Sequence, residues 1–215
     1  MSPLDEVTAT IEATRLVPVV VIDDAAAAEA LGSALAKGGL RCAEVTFRTP
    51  AAEDALRAMA RNPEMFVGAG TVLTPDQVDR AVAAGAKFIV SPGFSPTVVR
   101  HCQQIGVPVF PGVATATEIQ AALEEGLGVV KFFPAEPLGG LPMIKALAAP
   151  FPALRFIPTG GITAAQLGDY LGHRSVLAVG GSWMVAPKLI AAADWPEITR
   201  LTAEAVAVAT KSPAA

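Results

Sequence analysis

Lys131 stands in the run Gly-Val-Val-Lys-Phe-Phe-Pro-Ala-Glu (128–136), between two valines and two phenylalanines. An ammonium is costly to bury, and an amine kept partly neutral in such surroundings can act as a nucleophile. The plainer reading is a strand-end lysine whose stem packs while its head reaches water, and from this segment alone the plainer reading is the better one. The other lysines bear on the choice. Lys87 falls at a strand start and Lys145 and Lys188 in helices, which leaves Lys131 at a strand's C-terminal end and turns the reading toward the nucleophile.

A second set lies in Ala-Glu-Val-Thr-Phe-Arg-Thr-Pro (43–50). Alternate residues of a strand share a face, so Glu44, Thr46 and Arg48 point one way while Val45 and Phe47 point the other. A Glu–Arg pair that only neutralises itself is the bland account. Buried ion pairs are weak evidence for stability, however, and barrel interiors are usually filled by branched apolar residues, so charge at the end of a strand is better explained by a site.

Two glycine pairs follow, in Pro-Thr-Gly-Gly-Ile (158–162) and Val-Gly-Gly-Ser (179–182). Glycines let backbone N–H groups approach an anion, and a helix start behind them would add a positive dipole end. Simple tight turns are the alternative; their joint placement favours phosphate. Thr71 in Gly-Ala-Gly-Thr and the prolines Pro92, Pro111 and Pro134 read individually as turns or strand terminators. The two histidines, His101 and His173, fall in or after helices, which speaks against a His-based metal site or a Ser-His-Asp triad. Cys42 and Cys102 lack metal spacing and read as reduced thiols, so neither a metal nor a cofactor is expected.

These residues need elements to hold them. Apolar runs at 16–22, 42–47, 66–70, 87–91, 107–110, 128–133, 154–158 and 176–180 read as strands. Amphipathic, often Ala-rich stretches near 24–37, 50–60, 75–84, 96–105, 116–125, 139–148, 164–171, 183–192 and 194–210 read as helices. Thr74-Pro75-Asp76, Thr115 with Glu118, and Thr163 are helix-start signals. Eight βα units point to a (β/α)8 TIM barrel, with an open doubly wound sheet as the other possibility. Thr71, Pro92, Pro111 and Lys131 recur at intervals of 21, 19 and 20 residues, as repeated units with functional strand ends should. No linker interrupts the pattern, so residues 1–215 read as one domain with short N- and C-terminal helices.

The chain of 215 residues is 52% hydrophobic and 17% charged with a net charge of −4, enough for one sizeable core. An acidic balance without a basic cluster argues against nucleic acid or an anionic membrane surface as partner. The first residues lack a basic segment followed by an apolar core, and no stretch reaches about 20 apolar residues. A cytoplasmic protein without a membrane partner is expected.

Taken in order and spacing, Glu-Val-Thr-Phe-Arg-Thr, Gly-Ala-Gly-Thr-Val, Ser-Pro-Gly-Phe, Phe-Pro-Gly, Lys-Phe-Phe-Pro-Ala-Glu, Pro-Thr-Gly-Gly-Ile and Gly-Gly-Ser-Trp resemble the 2-keto-3-deoxy-6-phosphogluconate (KDPG) and 4-hydroxy-2-oxoglutarate aldolases. The likeness runs from about residue 15 to about 205, and Lys-Phe-Phe-Pro-Ala-Glu preceded by Glu-Val-Thr-x-Arg is its specific part. The resemblance implies a class I lyase of (β/α)8 fold, with Lys131 as Schiff-base lysine and Glu44 as proton shuttle. It implies Arg48 and Thr71 at the pyruvyl carboxylate or ketone, Pro92 and Phe133 lining that pocket, and Gly160, Gly161, Gly181 and Ser182 at the phosphate, with Thr159 also among the substrate-binding residues. A phosphorylated 2-keto acid substrate and a homotrimer are implied as well. The galactonate epimer is an alternative substrate. Two rivals are a phosphate-binding barrel that isomerises or epimerises a sugar phosphate with Glu44 as base, and a non-catalytic ligand-binding barrel.

Overall fold

The computed structural model describes residues 3–211. Eight strands form one parallel sheet: β1 (Leu16–Val20), β2 (Cys42–Thr46), β3 (Phe66–Gly70), β4 (Ile89–Ser91), β5 (Val109–Val113), β6 (Val129–Phe132), β7 (Arg155–Pro158) and β8 (Val179–Gly181). Neighbours in sequence are neighbours in space, and β1 also pairs with β8 through Leu16–Val179, Val17–Gly180 and Pro18–Gly181. Two isolated bridges, Phe156–Val176 and Thr159–Gly180, join the β7 and β8 regions. The sheet therefore curls back onto itself as a (β/α)8 barrel; an open doubly wound sheet is not what this chain forms.

Helices alternate with the strands: α1 (Pro3–Thr14), α2 (Ala28–Lys37), α3 (Ala52–Ala60), α4 (Pro75–Ala83), α5 (Pro96–Gln104), α6 (Ala116–Glu124), α7 (Gly140–Ala148), α8 (Leu167–Leu171), α9 (Pro187–Ala191) and α10 (Trp195–Lys211). Their starts have local causes. Thr74 accepts from the Gln77 N–H ahead of α4, and Thr115 and Glu118 form a reciprocal capping box ahead of α6. Each satisfies donors that the first turn leaves without an intrahelical partner.

Strand parity sorts the apolar residues into two cores. Ala43, Val45, Val130 and Phe132 face outward into the layer shared with the helices. Val17, Cys42, Phe88, Val90, Phe110 and Ile157 fill the barrel, where Val7 and Ile11 of α1 join them as a plug. Phe88 and Phe110 meet edge to face with centroids 6.0 Å apart. Phe47 packs against the outer layer, as parity requires.

Two strands depart from the sequence reading. The fifth was expected at 107–110 with Pro111 as its stop; the extended chain runs on to Val113. Gly112 makes this possible, because a Cβ there would stand 2.1 Å from the Pro92 carbonyl oxygen. Pro111 is thus inside a strand, paired with Ser91, and Lys131 sits one residue short of the β6 end, opposite Gly112. The eighth strand, expected at 176–180, is shorter and later at Val179–Gly181.

Candidate active site

Strands β2 and β6 bring together Glu44, in the middle of β2, and Lys131, next to the end of β6. Both point into the barrel, with exposures of 3% and 5%, and Lys131 Nζ donates to Glu44 Oε1 at 3.2 Å. The bland pairing of Glu44 with Arg48 does not form. Arg48 lies beyond the strand and its Nε donates to Thr71 Oγ1 at 3.3 Å. Thr71 holds a left-handed backbone, φ +57°, a strained conformation for a β-branched residue and one that surrounding structure must impose. Thr46, the third inward residue of the strand, is occupied structurally: its hydroxyl donates to the Val20 carbonyl at 2.8 Å.

Space for the acidic side chain comes from β3. Gly68 and Gly70 face inward, and a Cβ at Gly70 would stand 2.1 Å from Glu44 Oε1, while one at Gly68 would enter the Phe88 ring. The barrel's usual branched filling is thereby replaced, at this level, by a carboxylate and an amine. Beneath them the interior is closed. A void of about 10 Å³ among Val17, Phe88, Phe110 and Ile157 has no room for a substrate. Burial, with the Glu44 carboxylate adding to it, pushes the Cys42 thiol up to about 12, so it remains protonated and inert.

Access is from the opposite side, through a cleft of about 280 Å³ lined by Val19, Val21, Arg48, Phe133, Thr159, Gly160, Gly161, Ile162, Gly180, Ser182 and Pro187. Lys131 Nζ lies 5.1 Å from the centroid of the Phe133 ring, which connects the buried pair to this opening. Gly160 and Gly161 both have positive φ, +104° and +83°. Glycines at the edge of a cleft let backbone N–H groups approach an anion closely. The helix dipoles expected behind these loops are slight: each loop leads into a three-residue 3-10 turn, Ala164–Gln166 or Trp183–Val185, and α8 and α9 have five residues each.

Of the residues singled out in the sequence, Arg48, Phe133, Thr159, Gly160, Gly161 and Ser182 share the cleft, with Thr71 tied to it through Arg48. Pro92 and Gly181 do not line it. The Pro92 carbonyl packs over Gly112, and a Cβ at Gly181 would meet the Trp183 ring. The sequence reading overlooked Gly180, Val19, Val21, Ile162 and Pro187. Strand parity would have found the first two, since Gly180 pairs with Val17, next to inward-facing Val19. Among the described residues no group of His, Cys, Asp and Glu could hold a metal ion, and no helix is long and apolar enough to cross a membrane.

This arrangement agrees with what the chain is similar to. Residues 7–201 match the aldolase family described as KDPG and KHG aldolase. The 2-dehydro-3-deoxy-phosphogluconate aldolase of Treponema pallidum is 51% identical over 199 residues, 92% of this chain and 95% of that protein. The crystal structure of the 2-keto-3-deoxy-6-phosphogluconate aldolase of Zymomonas mobilis with 3-phosphoglycerate superposes with a TM-score of 0.91 at 41% identity, covering 98% of this chain and 99% of the other. A KDPG aldolase from Legionella pneumophila, with pyruvate captured as a covalent carbinolamine, gives a TM-score of 0.89 at 40% identity, covering 94% and 97%.

Proposed function

This chain belongs to the KDPG and KHG aldolase family, and from that premise we propose that it cleaves 2-keto-3-deoxy-6-phosphogluconate to pyruvate and D-glyceraldehyde 3-phosphate through a Schiff base on Lys131. The observation that carries the reading is the buried 3.2 Å contact between Lys131 Nζ and Glu44 Oε1, at the inner end of a cleft edged by Arg48 and two glycine loops.

The geometry supports each step. A proton passed along the Lys131–Glu44 contact leaves a neutral amine, which attacks the C2 ketone and forms a carbinolamine. Loss of water, with Glu44 supplying the proton, gives a protonated imine. That cation accepts the electron pair of the C3–C4 bond as it breaks, while the C4 hydroxyl proton passes to Glu44 and the aldehyde departs. The enamine left on Lys131 takes a proton at C3, and hydrolysis returns pyruvate and the free amine. Phe133, beside the nitrogen, offers a ring face to the cationic imine. Arg48, steadied by Thr71, would take the substrate carboxylate, and Pro92 is assigned to the pyruvyl pocket by the family resemblance alone. Gly160, Gly161 and Ser182 would receive the phosphate with Thr159 beside them in the cleft, while Gly181, expected there from the resemblance, is held in the β1–β8 ladder outside it.

The test is a cleavage assay with KDPG and with 4-hydroxy-2-oxoglutarate, which lacks a phosphate, on the protein and on Ser182→Ala. Aldehyde and pyruvate should appear in equal amounts from KDPG. Losing one hydrogen bond to a charged group costs about 1.5–3 kcal/mol, so the variant should lose about ten- to a hundredfold in kcat/KM for KDPG and much less for hydroxyoxoglutarate. Equal losses on both substrates would remove Ser182 from the phosphate site; no cleavage of either would overturn the aldolase reading. A homotrimer in the cytoplasm, implied by the resemblance, belongs to the same proposal. Light scattering at micromolar concentration should return three times the chain mass, and a monomer mass would contradict it.

A further inference from the structure

Glu136 closes the Lys-Phe-Phe-Pro-Ala-Glu run and is the point where the loop after β6 meets the Gly160–Gly161 loop after β7. The backbone is stitched first: Ala135 N–H donates to the Thr159 carbonyl at 2.8 Å, and Glu136 N–H to the Gly160 carbonyl at 3.0 Å. The side chain adds a second tie. Its Oε1 accepts from the Tyr170 hydroxyl and its Oε2 from Gln166 Nε2 at 2.8 Å. Gln166 Oε1 accepts in turn from the Thr163 N–H at 2.9 Å and its hydroxyl at 2.8 Å, so the network returns to the far end of the glycine loop.

Neighbouring glycines make room for this one carboxylate. A Cβ at Gly161 would stand 2.8 Å from Glu136 Cβ, and one at Gly140 would stand 2.8 Å from both Glu136 Oε1 and the Tyr170 hydroxyl. A negative group beside an anion-binding loop would normally weaken it. Here both oxygens are taken by donors from α8 and the turn before it. Burial, with the hydrogen bond to Glu136, pushes the Tyr170 hydroxyl above its ordinary range and keeps it a donor.

We propose that Glu136 is a positioning residue which, through Tyr170 and Gln166, holds the Gly160–Gly161 loop at a set distance from Lys131 and so determines affinity for the phosphate end of the substrate. The proposal rests on the phosphate reading of that loop. It does not require Glu136 to touch substrate.

The test compares Tyr170→Phe, Glu136→Ala and Glu136→Gln with the unchanged protein. The readouts are kcat and KM for KDPG and for 4-hydroxy-2-oxoglutarate, inhibition by inorganic phosphate, and the melting temperature. Tyr170→Phe and Glu136→Ala should raise the KM for KDPG and the phosphate inhibition constant about tenfold, while kcat and both constants for hydroxyoxoglutarate move less than about twofold. Glu136→Gln keeps an acceptor for Tyr170 and should recover most of the loss. If Glu136→Ala does not fold, Tyr170→Phe, which removes a single hydroxyl, decides alone. Parallel losses on both substrates, or a KM for KDPG that stays put in Tyr170→Phe, would overturn the positioning role. An unchanged protein that inorganic phosphate does not inhibit would overturn the phosphate reading itself, and this proposal with it.

Discussion

A carboxylate 3.2 Å from an amine, both shut away from water, is either a costly ornament or a proton relay. Removing one partner of a buried pair strands the other, so a simple truncation cannot separate the two accounts. Glu44→Gln can. The amide keeps the size of the side chain and an acceptor oxygen for Lys131 Nζ, but it cannot take up a proton. If Glu44 moves protons, the variant should fold with a nearly native melting temperature and lose about 10²–10⁴ in kcat, the range of a positioned general base. A kcat within about threefold of the original would assign Glu44 to structure. What the sequence revealed at this scale was the parity of Glu44, Thr46 and Arg48. It could not reveal that they have different partners. Glu44 meets a lysine 87 residues away and Arg48 a threonine 23 residues away, and contacts so distant have no signature in local spacing.

Elements set where those side chains can stand. The alternation of apolar runs with amphipathic stretches was enough to place all the strands, because each strand's outward face must cover the helix layer. Strand ends were less legible. Pro111 looks like a terminator in any local window, yet the chain passes straight through it because Gly112 admits the Pro92 carbonyl from the neighbouring β4 side. The loop after β8 was read as the start of a long helix at 183–192 and is instead a short turn followed by α9, since Pro187 begins a new helix. Gly-Ala-Gly-Thr was similarly underread: Gly68 and Gly70 are there for volume, clearing the barrel for Phe88 and Glu44. Gly70→Ala therefore places a methyl group 2.1 Å from where Glu44 Oε1 now lies. Gly70 has an ordinary backbone conformation, so the cost should fall on the carboxylate's position and not on the turn. We expect kcat to fall at least about tenfold with the fold retained, as circular dichroism and kinetics would show; an unchanged kcat would mean that the carboxylate's present placement is not needed.

At the scale of the whole molecule, the closed sheet makes two ends that do different work. At one, α1 inserts Val7 and Ile11 and seals the barrel beneath Lys131 and Glu44. At the other, the loops after β2, β6, β7 and β8 converge on one cleft, as the C-terminal face of such barrels allows. A sealed floor and an open mouth leave one direction of approach to Lys131; under the proposed function the carboxylate and ketone would enter first and the phosphate would stay at the glycine loops. The whole account stands on the nucleophile. Incubation with pyruvate and sodium borohydride, followed by peptide mass mapping, tests it most directly. The account predicts irreversible loss of activity and a reduced pyruvate adduct on the peptide carrying Lys131. An adduct on Lys145, or full activity with no adduct, would contradict it.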